Sequence, residues 1–343
     1  MNRTDTAIAP KAPLAPGRGR IPLARAAALG AAALTAPVVA RAQEAGLRLA
    51  HQNPSPMVET TRSHDRLPAT EVPGRRWALT ALPVPVRIFV PEGLAVEARP
   101  ALLVHFHGVA HIPERAAATA AAPSVVASVH LAAGSSGYDA AFDDPAVLDS
   151  ILTAVERELS GLAGHRVAVG DVTLSAFSAG HGAVRAILRD PDHFERVVGV
   201  LLLDGLHTGY LPPGTVLHEG GRLDASRLES VLAFAREAVA GRRRLLITHS
   251  EIFPGTFAST TETADHLLRE LGLRRTAVLR WGPVGMQQLG EVRCGGFGLL
   301  AFAGNTAPDH VDHFHGMVDF MAALDRLPSR PASEPCALPG ARR

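Results

Sequence analysis

The strongest constraint on the fold is a series of short, continuous apolar runs that alternate with helix-like segments after residue 100. Apolar residues at every position of a run indicate a strand that is buried on both faces, as in a parallel sheet. Strands that alternate with helices predict an α/β fold, with a mostly parallel central sheet and helices on both faces. The apolar runs cover residues 100–108, 124–131, 171–177, 196–204, 243–250 and 295–304, and the helical patterns between and after them cover residues 114–122, 144–162, 179–190, 226–241, 259–272 and 309–324.

Two further strand patterns, over residues 75–82 and 84–93, precede this series. The second is bounded by Pro91 and Gly93, which are typical of a strand that ends in a turn. Together the patterns predict a sheet of about eight strands.

Polar residues lie at or shortly after the ends of several apolar runs: His107, Ser178, Asp204, residues 249–251 and His310. In open parallel sheets, ligands bind at the carboxyl ends of the strands. We therefore expect these side chains to gather at one edge of the sheet and to form the functional site.

Small residues surround Ser178 at the junction between an apolar run and a helical pattern. Ala176 and Gly180 lie two residues before and two after it, and Gly182 follows in the helix. Small side chains at these positions let a strand turn sharply into a helix, which would hold the residue at the corner in a strained conformation and expose its hydroxyl group. A buried serine in a tight strand–helix turn is the alternative interpretation.

The segment from Ala176 to Gly180, with sequence AFSAG, resembles the nucleophile elbow G-x-S-x-G of the α/β-hydrolase superfamily, with alanine in place of the first glycine. The resemblance covers roughly residues 80–325 when the order of strands is included. It implies that Ser178 is a catalytic nucleophile and that the acid and the histidine follow it in the chain.

The resemblance also implies an oxyanion hole built from two backbone N–H groups. One belongs to Ala179, directly after the nucleophile. The other belongs to the loop after the third strand, where His107 and Gly108 correspond to the His-Gly pair of lipases and esterases. Val109 is the expected donor. Structural roles for His107 and the nearby His105 are the alternative.

The superfamily places its catalytic histidine after the last strand, which corresponds to His310. His313 is the next candidate. Two carboxylates compete for the role of orienting this histidine: Asp204 directly ends an apolar run, and Glu251 follows the next one. Asp204 is slightly favoured, because an unpaired carboxylate at the end of so apolar a strand would be costly.

The termini differ in composition from the central part of the chain. Residues 1–42 have the pattern of a signal peptide, with early arginines, an alanine-rich apolar run and an A-x-A cleavage pattern before Gln43. We expect an N-terminal extension over residues 43–75, the α/β-hydrolase domain over residues 76–326 and a proline-rich mobile tail over residues 327–343. Export would allow a disulfide between Cys294 and Cys336, which the sequence alone neither supports nor excludes.

The formal net charge of +1 argues against a nucleic-acid partner. The sequence thus predicts an exported, cofactor-free and metal-free serine hydrolase of a small-molecule carboxylic ester, with no membrane span in the mature chain. Two other functions remain open. One is a non-catalytic binding protein with the hydrolase fold, and the other is a metal-dependent hydrolase that uses the His and Asp residues at 309–315. The oligomeric state and the substrate's acyl and alcohol groups are left open.

Overall fold

The computed structural model describes residues 71–328, except residues 97, 98 and 132. The predicted signal peptide, most of the N-terminal extension and nearly all of the proline-rich tail lie outside the described residues. The same holds for Cys336, so the disulfide with Cys294 stays a prediction. Among the described residues, no helix has the length and apolar character needed to cross a bilayer.

A ten-stranded sheet forms the centre of the molecule, and a two-stranded hairpin (β7, β8) lies apart from it. The strands are β1 (Gly74–Leu79), β2 (Val86–Pro91), β3 (Leu102–Phe106), β4 (Val125–Val129), β5 (Val172–Phe177), β6 (Val197–Leu203), β7 (Tyr210–Leu211), β8 (Arg222–Leu223), β9 (Arg244–His249), β10 (Thr276–Trp281), β11 (Gln287–Cys294) and β12 (Phe297–Phe302).

Nine α-helices are described alongside these strands. They are α1 (His111–Thr119), α2 (Ser135–Ala141), α3 (Pro145–Ala163), α4 (His181–Ile187), α5 (Pro191–Arg196), α6 (Glu229–Val239), α7 (Thr260–Glu270), α8 (Ala307–His315) and α9 (Met317–Asp325).

The strand order across the large sheet is β1-β2-β4-β3-β5-β6-β9-β12-β11-β10. The six strands from β4 to β12 run parallel, whereas β1, β2, β11 and β10 pair in antiparallel fashion at the two sides. This order and the parallel centre confirm the predicted fold class, which is that of the α/β hydrolases. The sheet has ten strands rather than about eight because β10 and β11 were not predicted.

Side chains of β3 alternate between two apolar clusters, one on each face of the sheet. Leu102, Val104 and Phe106 pack in the cluster that contains the apolar residues of α3, α4, α6 and α7. Leu103 packs in the cluster with residues of α1, α8 and α9. The helices therefore cover both faces, which is why the central strands are apolar at consecutive positions.

Local sequence signals explain several helix ends. Asp144 caps α3 by accepting a hydrogen bond from Ala146 N, and Gly164 ends the helix in the left-handed conformation. Ser259 and Glu262 form the predicted capping box of α7. The last helical pattern, predicted as one helix, is divided at Gly316 into α8 and α9.

Register places the ends of the parallel strands side by side. Phe177 of β5 pairs with Leu203 of β6, and Leu203 pairs with Thr248 of β9. The residues that follow these strands, Ser178 and Asp204 among them, therefore meet at one edge of the sheet.

Candidate active site

The turn at Ser178 is built on close contacts that only small residues allow. A Cβ atom at Gly180 would overlap with the carbonyl group of Phe106, and one at Gly205 would lie 2.6 Å from Ser178 N. Ser178 itself has a φ of +48°, which is rare for a residue with a side chain. The chain thus bends between β5 and α4 as the small residues of the sequence predict.

Positive φ angles recur at the ends of three parallel strands. His107 after β3, Ser178 after β5 and Asp204 after β6 have φ angles of +76°, +48° and +40°. Such conformations cost on the order of 1–3 kcal/mol each and concentrate at functional sites. All three residues line the same cavity.

Asp204 and His310 form a buried pair. His310 Nδ1 lies 2.7 Å from Asp204 Oδ2, although the two residues are separated by 106 positions in the chain. The same carboxylate accepts hydrogen bonds from the backbone N–H of Ser250 at 2.9 Å and its hydroxyl group at 2.7 Å. The hydroxyl group of Thr260 donates a further bond at 2.8 Å.

These partners determine the charge of Asp204, which is 1% exposed. Burial by itself would raise the pKa of this carboxyl group, but neighbouring His313 and the hydrogen bonds from His310 and Ser250 hold the pKa well below its usual value. A carboxylate that stays ionised favours a proton on His310 Nδ1 and leaves Nε2 as the ring's basic nitrogen.

The other candidates for base and acid lie elsewhere. Glu251 is exposed, and its backbone N–H bonds to Gly304 O at 2.9 Å. His313 is fully buried, with Nδ1 2.7 Å from the hydroxyl oxygen of Thr248. The structure therefore brings Asp204, and not Glu251, to His310.

Histidines organise the loop after β3. His105 Nδ1 lies 2.8 Å from the hydroxyl oxygen of Ser175, and its Nε2 lies 2.8 Å from the carbonyl oxygen of His107. Gly108 N donates to His130 Nδ1 at 3.0 Å. Within the described part of the chain, Val109 N donates no hydrogen bond. Unlike the N–H of Gly108, the N–H of Val109 is therefore available to a ligand.

His107 is fixed by Tyr138, a residue that the sequence did not single out. The Tyr138 hydroxyl group accepts a bond from Leu131 N at 2.8 Å and lies 3.0 Å from His107 Nδ1. A hydroxyl that already accepts from an N–H is best placed to donate to this ring nitrogen. Burial, followed by the nearby histidines His130, His105, His310 and His181, lowers the pKa of His107 to about 3, which makes the ring neutral.

His181 supports the turn at Ser178 from within α4. Its Nδ1 lies 2.8 Å from the carbonyl oxygen of Ser178, and its Nε2 lies 3.1 Å from the carbonyl oxygen and 3.3 Å from the backbone nitrogen of His207. Burial is the main cause that lowers the pKa of His181 to about 3. These contacts tie the turn to the loop after β6.

A cavity of about 550 Å³ lies above these residues. Ser178, Ala179, Asp204, His310 and His107 form its floor on the sheet side. The rest of the lining comes from residues 133–136, two loops over residues 207–209 and 252–257, and the side chains of His181, Arg185, Arg227 and Thr260. These loops belong to two long segments, residues 207–224 and 251–257, that contain Pro, Gly and aromatic residues. Their composition predicts loops that cover the site and determine substrate choice.

The donors at residues 309–315 diverge instead of converging. Asp309 caps α8 by accepting bonds from the backbone and hydroxyl groups of Thr306, His310 faces Asp204, and His313 faces Thr248. Among residues 71–328, apart from the gaps, no group of three or more His, Cys, Asp or Glu side chains is arranged to hold a metal ion.

Two further residues of the site, Thr260 and Tyr138, were not predicted, because they look like ordinary helix residues. Ser250 was expected at the strand ends as one of residues 249–251, but without a role of its own. The available signal was the buried carboxylate of Asp204, which requires several donors, but the sequence does not indicate which residues supply them.

Comparisons with known proteins identify solved structures of similar fold. No protein-family model matches the sequence, and no curated protein matches it. An esterase from Pyrobaculum calidifontis is 12% identical with a TM-score of 0.41, and the match covers 74% of this chain and 85% of that one. An acylaminoacyl peptidase from Pyrococcus horikoshii is 11% identical with a TM-score of 0.46, over 78% of this chain and 43% of that one.

A feruloyl esterase module from Clostridium thermocellum is 9% identical with a TM-score of 0.44, and the match covers 80% of this chain and 94% of that module. The assignment of the fold rests on the strand order and on the turn at Ser178.

Proposed function

We propose that this chain, which has the α/β-hydrolase fold, is a serine hydrolase that cleaves a small-molecule carboxylic ester through an acyl-enzyme. One observation carries the proposal: the strained Ser178 lines the same cavity as a buried His310 that is hydrogen-bonded to Asp204 at 2.7 Å. Nucleophile, base and orienting acid are the minimal set for this chemistry.

In the proposed reaction, Ser178 Oγ attacks the ester carbonyl carbon while its proton passes to His310 Nε2. The C–O bond to the alcohol then breaks, and His310 returns the proton to the leaving oxygen. Water repeats the sequence on the acyl-enzyme, which releases the acid and restores Ser178. Asp204 remains ionised throughout and stabilises the imidazolium form of His310.

The negative charge of the tetrahedral intermediate requires N–H donors on the opposite side from the base. We propose Ala179 N and Val109 N for this role. Gly108 N is a weaker candidate because it already donates to His130 Nδ1 at 3.0 Å. The loop conformation that presents Val109 depends on the positive φ angles of His107, +76°, and Gly108, +111°.

A fluorophosphonate probe tests the proposal directly. Wild-type protein should be labelled at Ser178, and Ser178→Ala should not be labelled. The same substitution should lower the rate of hydrolysis of nitrophenyl esters by about four orders of magnitude or more. Ser150→Ala is the matched control, since Ser150 lies in α3, donates its hydroxyl hydrogen bond to Val147 O at 2.7 Å and does not line the cavity. It should be labelled like the wild type.

The same experiment separates the other functions. A metal-dependent hydrolase would lose activity with a chelator and would not depend on Ser178, and a binding protein would show neither labelling nor turnover. Either result would overturn the proposal.

Export is also part of the proposal, and it is supported by the signal-peptide pattern of residues 1–42. Amino-terminal sequencing of protein recovered outside the cytoplasm should begin at Gln43. An intact amino terminus on the recovered protein would contradict cleavage of the leader.

A further inference from the structure

Positive charge is unevenly distributed around the cavity. Arg185 and Arg227 are the arginines among its lining residues, and Asp204 is its only carboxylate among the described residues. Asp204 is occupied by four hydrogen bonds, including the one from His310. Both arginines therefore line a cavity whose one carboxylate among the described residues is already occupied.

Arg185 is buried yet largely unsatisfied. It is 2% exposed, and the one hydrogen bond of its guanidinium group in the described structure runs from a terminal nitrogen to Asp139 Oδ2 at 2.8 Å. Its Nε atom is buried without a partner. Asp139 also binds Arg189 at 2.8 Å through its other oxygen, so this carboxylate is shared between two cations. A buried guanidinium with spare donors is costly unless something else satisfies it.

Arg227 approaches the cavity from the segment that follows the β7–β8 hairpin. Its Nε lies 3.2 Å from Asp224 Oδ2, and its side chain is 52% exposed. Asp224 also accepts a bond from Ser226 at 2.6 Å. Arg227 is therefore only partly paired, and it belongs to the lining of the cavity.

Three histidines that line the cavity supply no competing positive charge. Burial is the main cause that lowers the pKa of His107 and of His181 to about 3, and it lowers the pKa of His207 as well. At neutral pH these three rings are uncharged. The guanidinium groups of the two arginines are the permanently charged cations among the lining residues.

We propose that Arg185 and Arg227 bind a carboxylate on the substrate, so that the enzyme prefers esters that carry a free carboxylate over neutral esters of the same size. The inference rests on the proposed serine-hydrolase function and names the substrate class of that site. A guanidinium group matches a carboxylate in shape and charge, which makes it the usual partner for this group.

The position of Arg185 fits such a role. It lies one turn of α4 beyond His181, which itself contacts the carbonyl group of Ser178 at 2.8 Å. One turn advances the helix by about 5.4 Å. The carboxylate would therefore sit a few bonds away from the ester carbonyl group, at the same end of the cavity as the nucleophile.

Matched pairs of esters provide the test. One pair places the charge in the acyl group: the mono-nitrophenyl ester of adipic acid and that of its monoamide. A second pair places it in the alcohol: para-carboxyphenyl acetate and para-carbamoylphenyl acetate. The members of each pair match in size and differ mainly in charge, and the carboxylate of the second pair makes the phenol a slightly poorer leaving group than the amide does. We expect the carboxylate member of one pair to have a kcat/KM about tenfold higher or more.

Variants assign this preference to the two arginines. Arg227→Gln and Arg185→Gln should each bring the ratio of kcat/KM values, carboxylate over amide, close to one. Arg222→Gln is the matched control, because Arg222 lies in the same segment as Arg227, is exposed and does not line the cavity. It should keep the wild-type ratio.

Melting curves and fluorophosphonate labelling show which variants remain folded. If the buried Arg185→Gln fails to fold, the exposed Arg227→Gln still decides the matter. A wild-type ratio at or below one in both pairs overturns this inference, as does a ratio that survives Arg227→Gln in a folded, labelled protein. If wild-type protein is labelled but shows no preference, only this inference fails, whereas absence of labelling overturns the proposed function as well.

Discussion

Asp204 illustrates what a single carboxylate requires in order to be ionised inside a protein. Its side chain is almost completely buried, and hydrogen bonds from Ser250, Thr260 and His310 replace the lost water. Each charge-assisted bond of this kind is roughly twice as strong as a neutral one. From the sequence, Glu251 is almost as good a candidate for the acid as Asp204. In the structure Glu251 is exposed, whereas Asp204 is buried.

A pair of amide substitutions separates these two residues by activity. Asp204→Asn should lower kcat by roughly three to four orders of magnitude, because the neutral amide neither stabilises an imidazolium nor selects the correct tautomer of His310. Glu251→Gln should leave kcat within a factor of about two. Ester hydrolysis by both variants is the measurement, and the opposite ranking would show that Glu251 is the acid.

At the scale of elements, the site depends on how closely α4 approaches its neighbours. Gly182 in α4 lies against the first residue of α2, and a Cβ atom there would overlap with the carbonyl group of Ser135. The same part of the chain, residues 133–136, lines the cavity. The small residues after Ser178 therefore set both the helix packing and one wall of the site.

The same substitution at two helical glycines should have opposite effects. Gly182→Ala should lower the free energy of unfolding by about 1–3 kcal/mol, since backbone atoms must shift to accommodate the methyl group. Gly161→Ala in α3 is the matched control: nothing lies within 4 Å of its Cβ position. It should raise the stability by roughly 0.5–1 kcal/mol through helix propensity. Denaturant titrations measure both, and a neutral Gly182→Ala would contradict the close approach.

For the whole molecule, an unusual number of neutral histidines is buried around the strand ends. Burial is the largest cause that lowers the pKa of His105 and His313 to about 4 and that of His107 and His181 to about 3. Their rings bond to backbone carbonyl and side-chain hydroxyl groups. The folded state therefore resists protonation, whereas histidines in an unfolded chain take up protons near pH 6.5.

Stability should consequently fall as the solution is acidified. Between about pH 6.5 and pH 4 the unfolded chain binds more protons than the folded one, so the free energy of unfolding decreases as the pH decreases. Each such histidine contributes up to about 1.4 kcal/mol per pH unit. Melting temperatures measured across this range should show the loss.

Two histidine substitutions provide the controls. His313→Phe should make the dependence shallower by the share of one residue, because it removes a buried ring whose pKa is lowered to about 4 in the fold. His165→Gln should leave the dependence unchanged, since His165 is exposed. A melting temperature that stays constant from neutral to acidic pH would contradict the role of the buried histidines.

Sequence patterns predicted most of the central sheet correctly because the parallel strands are apolar on both faces and are separated by helical patterns. They missed β10 and β11, although burial alternates along β11 and follows the alternation of polar and apolar residues over its last four positions, 291–294. These strands pair in antiparallel fashion at one side of the sheet, and their shorter apolar signals are less distinct. For the site, the small residues around Ser178 were informative because a tight turn leaves a local signature.

By itself, the sequence determined the alternation of strands and helices, and with it which polar residues stand at the carboxyl ends of the strands, because hydrophobic periodicity and turn chemistry are local properties. Tertiary structure decided which carboxylate contacts His310, which residues satisfy Asp204, and that Arg185 and Arg227 line the cavity. Those relations join residues far apart in the chain, and they depend on strand register and on loop conformation, which local patterns do not specify.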